Sequence, residues 1–254
     1  MRRAALALVL ISAAAHGGGY QRVPAGAFQS MLQYEDGAGR RQVAAFELMR
    51  EPVTNAEFLA FVRIHHEWRR DRALPLYVER DQYLSHWQST LSLGANTLPR
   101  QPVTRVSWFA ARAYCEAQSA RLPSWDEWEY VAAADDAQRD ARGDPAWGAR
   151  ILEWYAQNSA GPLPQIGRTG ANAYGISDLH GLVWEWTDDY SSMLVVGDNR
   201  NQQDSDRYKF CGAGALSVAD RENYPVMMRV ALLSSLRGSD STSNLGFRCA
   251  RELL

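Results

Sequence analysis

Cysteine is scarce, with 3 in 254 residues, and lysine is nearly missing: of 27 basic residues only Lys209 is not an arginine. So few thiols exclude a disulfide-stapled miniprotein, and no C-x-x-C occurs, which removes zinc ribbons and thioredoxin chemistry. None of the 5 histidines forms H-x-x-x-H or H-E-x-x-H. Adjacent His65 and His66 would point about 100° apart on a helix, unsuited to sharing one ion. G-x-S-x-G, Walker A and G-x-G-x-x-G are absent too, so motif mechanics alone name no reaction. The formal charge of −2 leaves no basic excess for wrapping nucleic acid. No apolar run reaches the roughly 20 residues needed to span a bilayer.

What is present begins at the N-terminus. Arg2 and Arg3 precede an apolar run from Ala4 to Ile11 and then Ser12-Ala13-Ala14-Ala15. A positive start, a short hydrophobic stretch and small residues describe a secretory signal peptide. Residues 1–15 are therefore expected to be the signal and residues 16–254 one mature domain, periplasmic or secreted. The composition is 46% hydrophobic and 22% charged, enough to bury a core of its own.

Helix starts are written plainly. Thr54 and Ser124, each followed three residues later by a glutamate, are capping boxes. Behind the first, Phe58, Phe61, Val62 and His65 fall on one helical stripe. A second helix is expected after Ser107, with Trp108, Ala111 and Cys115 on one face. A third follows Ser124, with Trp125, Trp128 and Ala132 aligned. Strand-like pieces run over Gln42–Leu48, Val183–Thr187, Met227–Leu233 and Gly246–Ala250. Gly and Pro recur at 145–148, 161–164 and 167–175, which read as irregular. The expectation is one α+β domain with little regular secondary structure. Three cysteines in an exported chain predict one pair and one free thiol. Cys115 sits on a core-facing helix stripe and Cys249 ends the last strand-like piece. Cys211 is then the leftover, either an inert packed thiol or a metal or redox ligand.

Five strings in order carry a resemblance. They are Glu51–Phe58, Gln101–Trp108 running into Cys115, Arg121–Tyr130, Asn172–Thr187 and Ser243–Cys249. Together the chain resembles the formylglycine-generating enzyme, or sulfatase-modifying factor, family. The resemblance implies an irregular fold related to C-type lectins and a disulfide between Cys115 and Cys249. In active members two cysteines, upstream of an Arg-Val-Ala segment, bind copper and oxidise a sulfatase cysteine to formylglycine. Anchored on Arg229-Val230-Ala231, those positions fall on Asp220 and Pro225, and neither supplies a thiolate. A family calcium site uses a Gly-Asn-Val turn before Trp-Glu-Trp; here it is Gly181-Leu182-Val183, with Glu185 kept. Calcium binding is thus expected to be eroded, leaving Glu185 as a metal ligand or a buried carboxylate.

The resemblance places Cys211, Ser217, Asp220, Tyr224 and Arg229 on a cleft floor, with Trp186 nearby. Such a surface would hold a peptide or small anion through the arginine fork and the aromatic faces. No catalytic residue is assigned, copper is not expected, and the cofactor is left unknown. The expected role is an exported accessory that binds or matures another exported protein or peptide. Some members of this kind resemble accessory proteins of copper nitrite reductases. The alternatives are an oxidase using a different residue set, or a formylglycine generator acting on sulfatases.

Overall fold

Four short strands open the domain, each turning at least one apolar side chain inward, with Pro24-Ala25 and Ala44-Ala45 at the breaks. They are β1 (Tyr20–Val23), β2 (Gly26–Gln29), β3 (Arg40–Val43) and β4 (Phe46–Met49). The computed structural model describes residues 19–30, 40–156, 161–191 and 224–253. The expected strand over 42–48 is in fact two, parted at Ala44 and Ala45, and each half joins a different sheet. β3 pairs antiparallel with β2, while β4 lies between β1 and β7 (Ala250–Glu252) in an antiparallel sheet.

Three expected helices form where their caps stand: α1 (Asn55–Ile64), α2 (Trp108–Ala117) and α3 (Trp125–Ala132). Thr54 and Ser124 both close full capping boxes, and Ser107 caps α2 by accepting from Ala110 N at 3.1 Å. His65 ends α1 half-exposed and stacks on Phe61 with centroids 4.6 Å apart.

Two helices differ from expectation. α4 (Pro145–Ala156) fills a stretch whose start reads as irregular. Asp144 caps it, taking the Ala146 amide at 2.9 Å, and Pro145 occupies the first turn, where its missing N–H costs nothing. α5 (Tyr224–Ser235) replaces the expected strand over 227–233. A short apolar run fits either period; helical spacing puts Val230 and Leu233 inward and leaves Met228 exposed.

The C-terminal segment threads the middle of the domain. β6 (Leu245–Gly246) pairs in parallel with β5 (Trp184–Glu185). Phe247 O then accepts from Val53 N, Cys249 O from Met49 N, and Ala250 exchanges bonds with Arg121. Gly246 has no room for a side chain: a Cβ there would stand 2.6 Å from Val103 O. Two apolar clusters lie on either side. One gathers Phe58, Tyr114, Trp125, Trp186 and Phe247 around α1 and α2; the other gathers Val23, Phe28, Phe46, Leu48, Trp128 and Tyr174. The result is a mixed α+β domain with few regular elements. Among the described residues no helix is long and apolar enough to cross a membrane.

Cys115 and Cys249 are joined, with Cα atoms 5.5 Å apart and 134 residues between them in sequence. Closing so long a loop restricts the unfolded chain and stabilises the fold by about 4–5 kcal/mol. Replacing both cysteines by alanine is expected to lower the free energy of unfolding by about that amount, measured by urea titration.

Candidate functional site

A charged centre lies where the two clusters meet. Glu185, on β5, and Arg248, just after β6, are both fully buried. Arg248 Nη2 donates to Glu185 Oε1 at 2.7 Å and Nε reaches Oε2 at 2.9 Å. Trp128 Nε1 donates to the same Oε2 at 2.9 Å. The rest of the Arg248 fork ties separate segments together. It donates to Met49 O at 3.1 Å, Arg50 O at 3.3 Å and Ser177 O at 2.9 Å. Arg229, from α5, lies 3.6 Å over the Trp128 ring and donates to Glu185 O.

Against this centre the expected site residues can be placed. Arg229 is 1% exposed and Trp186 is 0% exposed, and neither lines either cleft described below. Trp186 Nε1 donates to Val106 O at 3.0 Å and its ring packs edge-on against Tyr190 at 5.0 Å. Both are interior side chains here rather than parts of an open floor. Tyr224 is the first residue of α5. Cys211, Ser217 and Asp220 lie outside the described residues.

Of the two roles expected for Glu185, metal ligand or buried carboxylate, its surroundings here are those of a buried carboxylate. Both carboxylate oxygens face the guanidinium and the Trp128 indole, and no exposed edge remains. Calcium takes six to eight oxygens, and a buried arginine stands where a cation would. The site does not fit calcium. Copper held by two thiolates does not fit either, because the disulfide takes two of 3 cysteines. Among the described residues no three His, Cys, Asp or Glu side chains group as a metal site.

The open space lies elsewhere. A cleft of about 580 Å³ runs between α4 and the loop over 168–181. Trp147, Arg150, Ile151 and Trp154, spaced i, i+3, i+4 and i+7, form its helical wall. His180 and Leu179 lie opposite. A second cleft, of about 420 Å³, shares Trp154, Arg168 and Gly181 with the first and continues past Leu163 and Trp184. None of the α4 residues of this wall stands out in the sequence. Asp144-Pro145 ahead of the i, i+3, i+4, i+7 spacing is the signal that would have exposed the wall.

Two histidines are held neutral. Burial first, then the positive charges of Arg229 and Arg248, pushes His180 down to about 4 against the opposing bond to Ala132 O. That bond, 2.8 Å from Nε2, fixes the proton on Nε2 because a carbonyl can only accept. His86 is also pushed down to about 4, by burial and then by Arg105 and Arg70.

Comparison with known proteins agrees with this architecture. The sulfatase-modifying factor enzyme 1-like domain matches residues 12–253. The chain belongs to that family. It is 31% identical over 177 residues to the formylglycine-generating enzyme of Bos taurus, covering 61% of this chain and 45% of that one. It is 27% identical over 271 residues to the inactive C-alpha-formylglycine-generating enzyme 2 of Bos taurus, covering 90% of this chain and 86% of that one. A structure of PvdO from Pseudomonas aeruginosa aligns with a TM-score of 0.47 and 21% identity, covering 92% of this chain and 94% of that one. The chain spans about half the length of the formylglycine-generating enzymes of Bos taurus and Streptomyces coelicolor, 45% and 54%.

Two tests follow from the charges. Removing one member of a buried pair leaves an uncompensated charge and costs about 3–5 kcal/mol. Glu185→Gln is expected to lose that much, by chemical denaturation. Glu185→Leu with Arg248→Leu should not restore stability, since three backbone carbonyls would lose their donor. The second test is pH. Folded-state values near 4 for both histidines, against an ordinary value of about 6.5, mean that the unfolded chain binds more protons. Stability from these groups is complete above pH 6.5 and is lost as pH falls towards 4. His180→Gln should flatten the slope of stability against pH in that window by up to one proton, read from urea midpoints across it.

Proposed function

We propose that this chain is an exported family member that works by binding, as a maturation accessory to another exported protein or peptide, and not by copper-thiolate oxidation. The inventory of cysteines carries this reading. Copper-thiolate oxidation in the family needs a pair of thiolates. Of 3 cysteines here, Cys115 and Cys249 are bonded to each other, and the positions aligned with the catalytic pair are Asp220 and Pro225. Cys211 alone cannot make the pair.

Other observations lean the same way. A structural disulfide is at home in an oxidising compartment, which fits the N-terminal signal and favours a periplasmic or secreted location. A rigid domain with open aromatic clefts and no paired thiols is suited to holding a partner.

Oxygen uptake decides between binding and oxidation. The purified protein is mixed with a peptide carrying Cys-x-Pro-x-Arg, with and without added copper. No oxygen consumption and no aldehyde product by mass spectrometry are expected. Formylglycine in the peptide would overturn the reading.

A further inference from the structure

The cleft between α4 and the 168–181 loop has the parts of a ligand site. Its walls are apolar: the Trp147 and Trp154 indoles, Ile151, Ile176 and Leu179. Its volume of about 580 Å³ lies within the usual range for small-molecule sites. Two arginines stand on its lining with no ion pair to any described residue. Arg150 projects from α4, and Arg168 from the loop opposite.

The loop that carries Arg168 is pinned from both sides. The amides of Gly167 and Thr169 both donate to the buried carboxylate of Asp178, the second at 2.9 Å. Asp178 N donates in turn to Thr169 Oγ1 at 2.6 Å. Gly167 adopts φ +78°, a left-handed conformation that glycine takes without strain. Arg168 is therefore presented from a fixed backbone, so binding would order little more than its side chain. The lining also carries three carboxylates, Asp135, Asp136 and Asp178, of which two are engaged. Asp178 holds the loop, and Asp135 Oδ1 accepts the amides of Ala137 and Gln138 in its own turn. His180 adds the last element. Its Nε2–H donates to Ala132 O, so Nδ1 carries a lone pair with no hydrogen bond to a described residue, on a ring set edge-on to Trp147 at 5.7 Å.

We propose that this cleft binds a small amphipathic anion: a flat apolar body against the indoles of the α4 wall, a carboxylate facing Arg150 and Arg168, and an N–H or O–H donor for His180 Nδ1. Each part answers one feature. Indole walls favour a planar body, since aromatic faces stack offset or edge-on. Neither guanidinium is in a close ion pair, although Arg150 feels the charge of Asp135, and both favour a carboxylate, which takes charge-assisted bonds from them. A neutral imidazole with its proton fixed elsewhere accepts and does not donate. The site involves no cysteine, so it stands apart from whether the chain oxidises a peptide.

Isothermal titration of the intact protein with three probes tests this. Indole-3-acetate has the flat body, the carboxylate and the N–H; indole lacks the carboxylate; naphthalene-1-acetate lacks the N–H. Indole-3-acetate is expected to bind one-to-one and saturably, with both other probes weaker. Arg150→Gln combined with Arg168→Gln should weaken indole-3-acetate roughly tenfold, the loss of charge-assisted bonds, and leave indole unchanged. Both arginines are exposed, and circular dichroism will report whether the variant keeps its fold. Absence of saturable binding, or binding indifferent to the two substitutions, would overturn the proposal. Equal affinity for naphthalene-1-acetate would remove His180 from it.

Discussion

The contact between Arg248 and Glu185 organises everything around it. Two opposite charges with no exposure to water are costly to bring inside, and only tight mutual bonding makes that tolerable. The same guanidinium satisfies carbonyls at the end of β4 and in the turn at Ser177. Two stretches far apart in sequence, 49–50 and 177–185, are therefore fixed to a single side chain. Trp128 joins them from α3, bonding the carboxylate through its indole and receiving Arg229 on its face. With so few regular elements, this polar knot supplies register that a larger sheet would otherwise give. His180 fits the same logic. Burial first, and then the positive charges of Arg229 and Arg248, keeps the ring neutral.

Local signals were legible in the sequence and distant ones were not. Thr54, Ser107 and Ser124 announce α1, α2 and α3 because a cap acts within four residues of itself. The run at 227–233 is ambiguous for the opposite reason: its apolar residues fit a strand, and only packing of Val230 and Leu233 beneath α5 selects a helix. Glu185 shows the limit most clearly. Its identity as an acid in a Trp-Glu-Trp segment is compatible with a metal or with a guanidinium. The choice depends on Arg248, 63 residues later. Arg229 and Trp186 follow the same pattern: an arginine and a tryptophan suit an open floor, yet here a ring face and backbone carbonyls hold them inside. The aromatic cleft on α4 went unread because Gly148 and Pro145 resemble loop punctuation, although proline is favoured in a helix's first turn.

Family membership in this chain is carried by the frame and its packing. The fold is shared along nearly the whole length, and its recurring tryptophans are explained by packing: Trp125, Trp128 and Trp186 are all buried. The disulfide belongs to this scaffold too, since it ties α2 to the segment that bears Arg248. Reactive groups are a separate layer laid over such a frame, and a few substitutions at their positions remove one activity without disturbing the frame.

The threading of residues 245–252 through the centre has a consequence for how the molecule comes into being. Until that segment is made, Glu185 has no counter-charge, β4 has one neighbour in place of two, and Cys115 has no mate. Its contacts reach back about 200 residues, as from Arg248 to Met49 and from Cys249 to Met49. A nascent chain lacking it can form its capped helices but cannot close the centre. Closure of the centre must therefore wait for residues 245–252, and contacts of such long range make that closure slow.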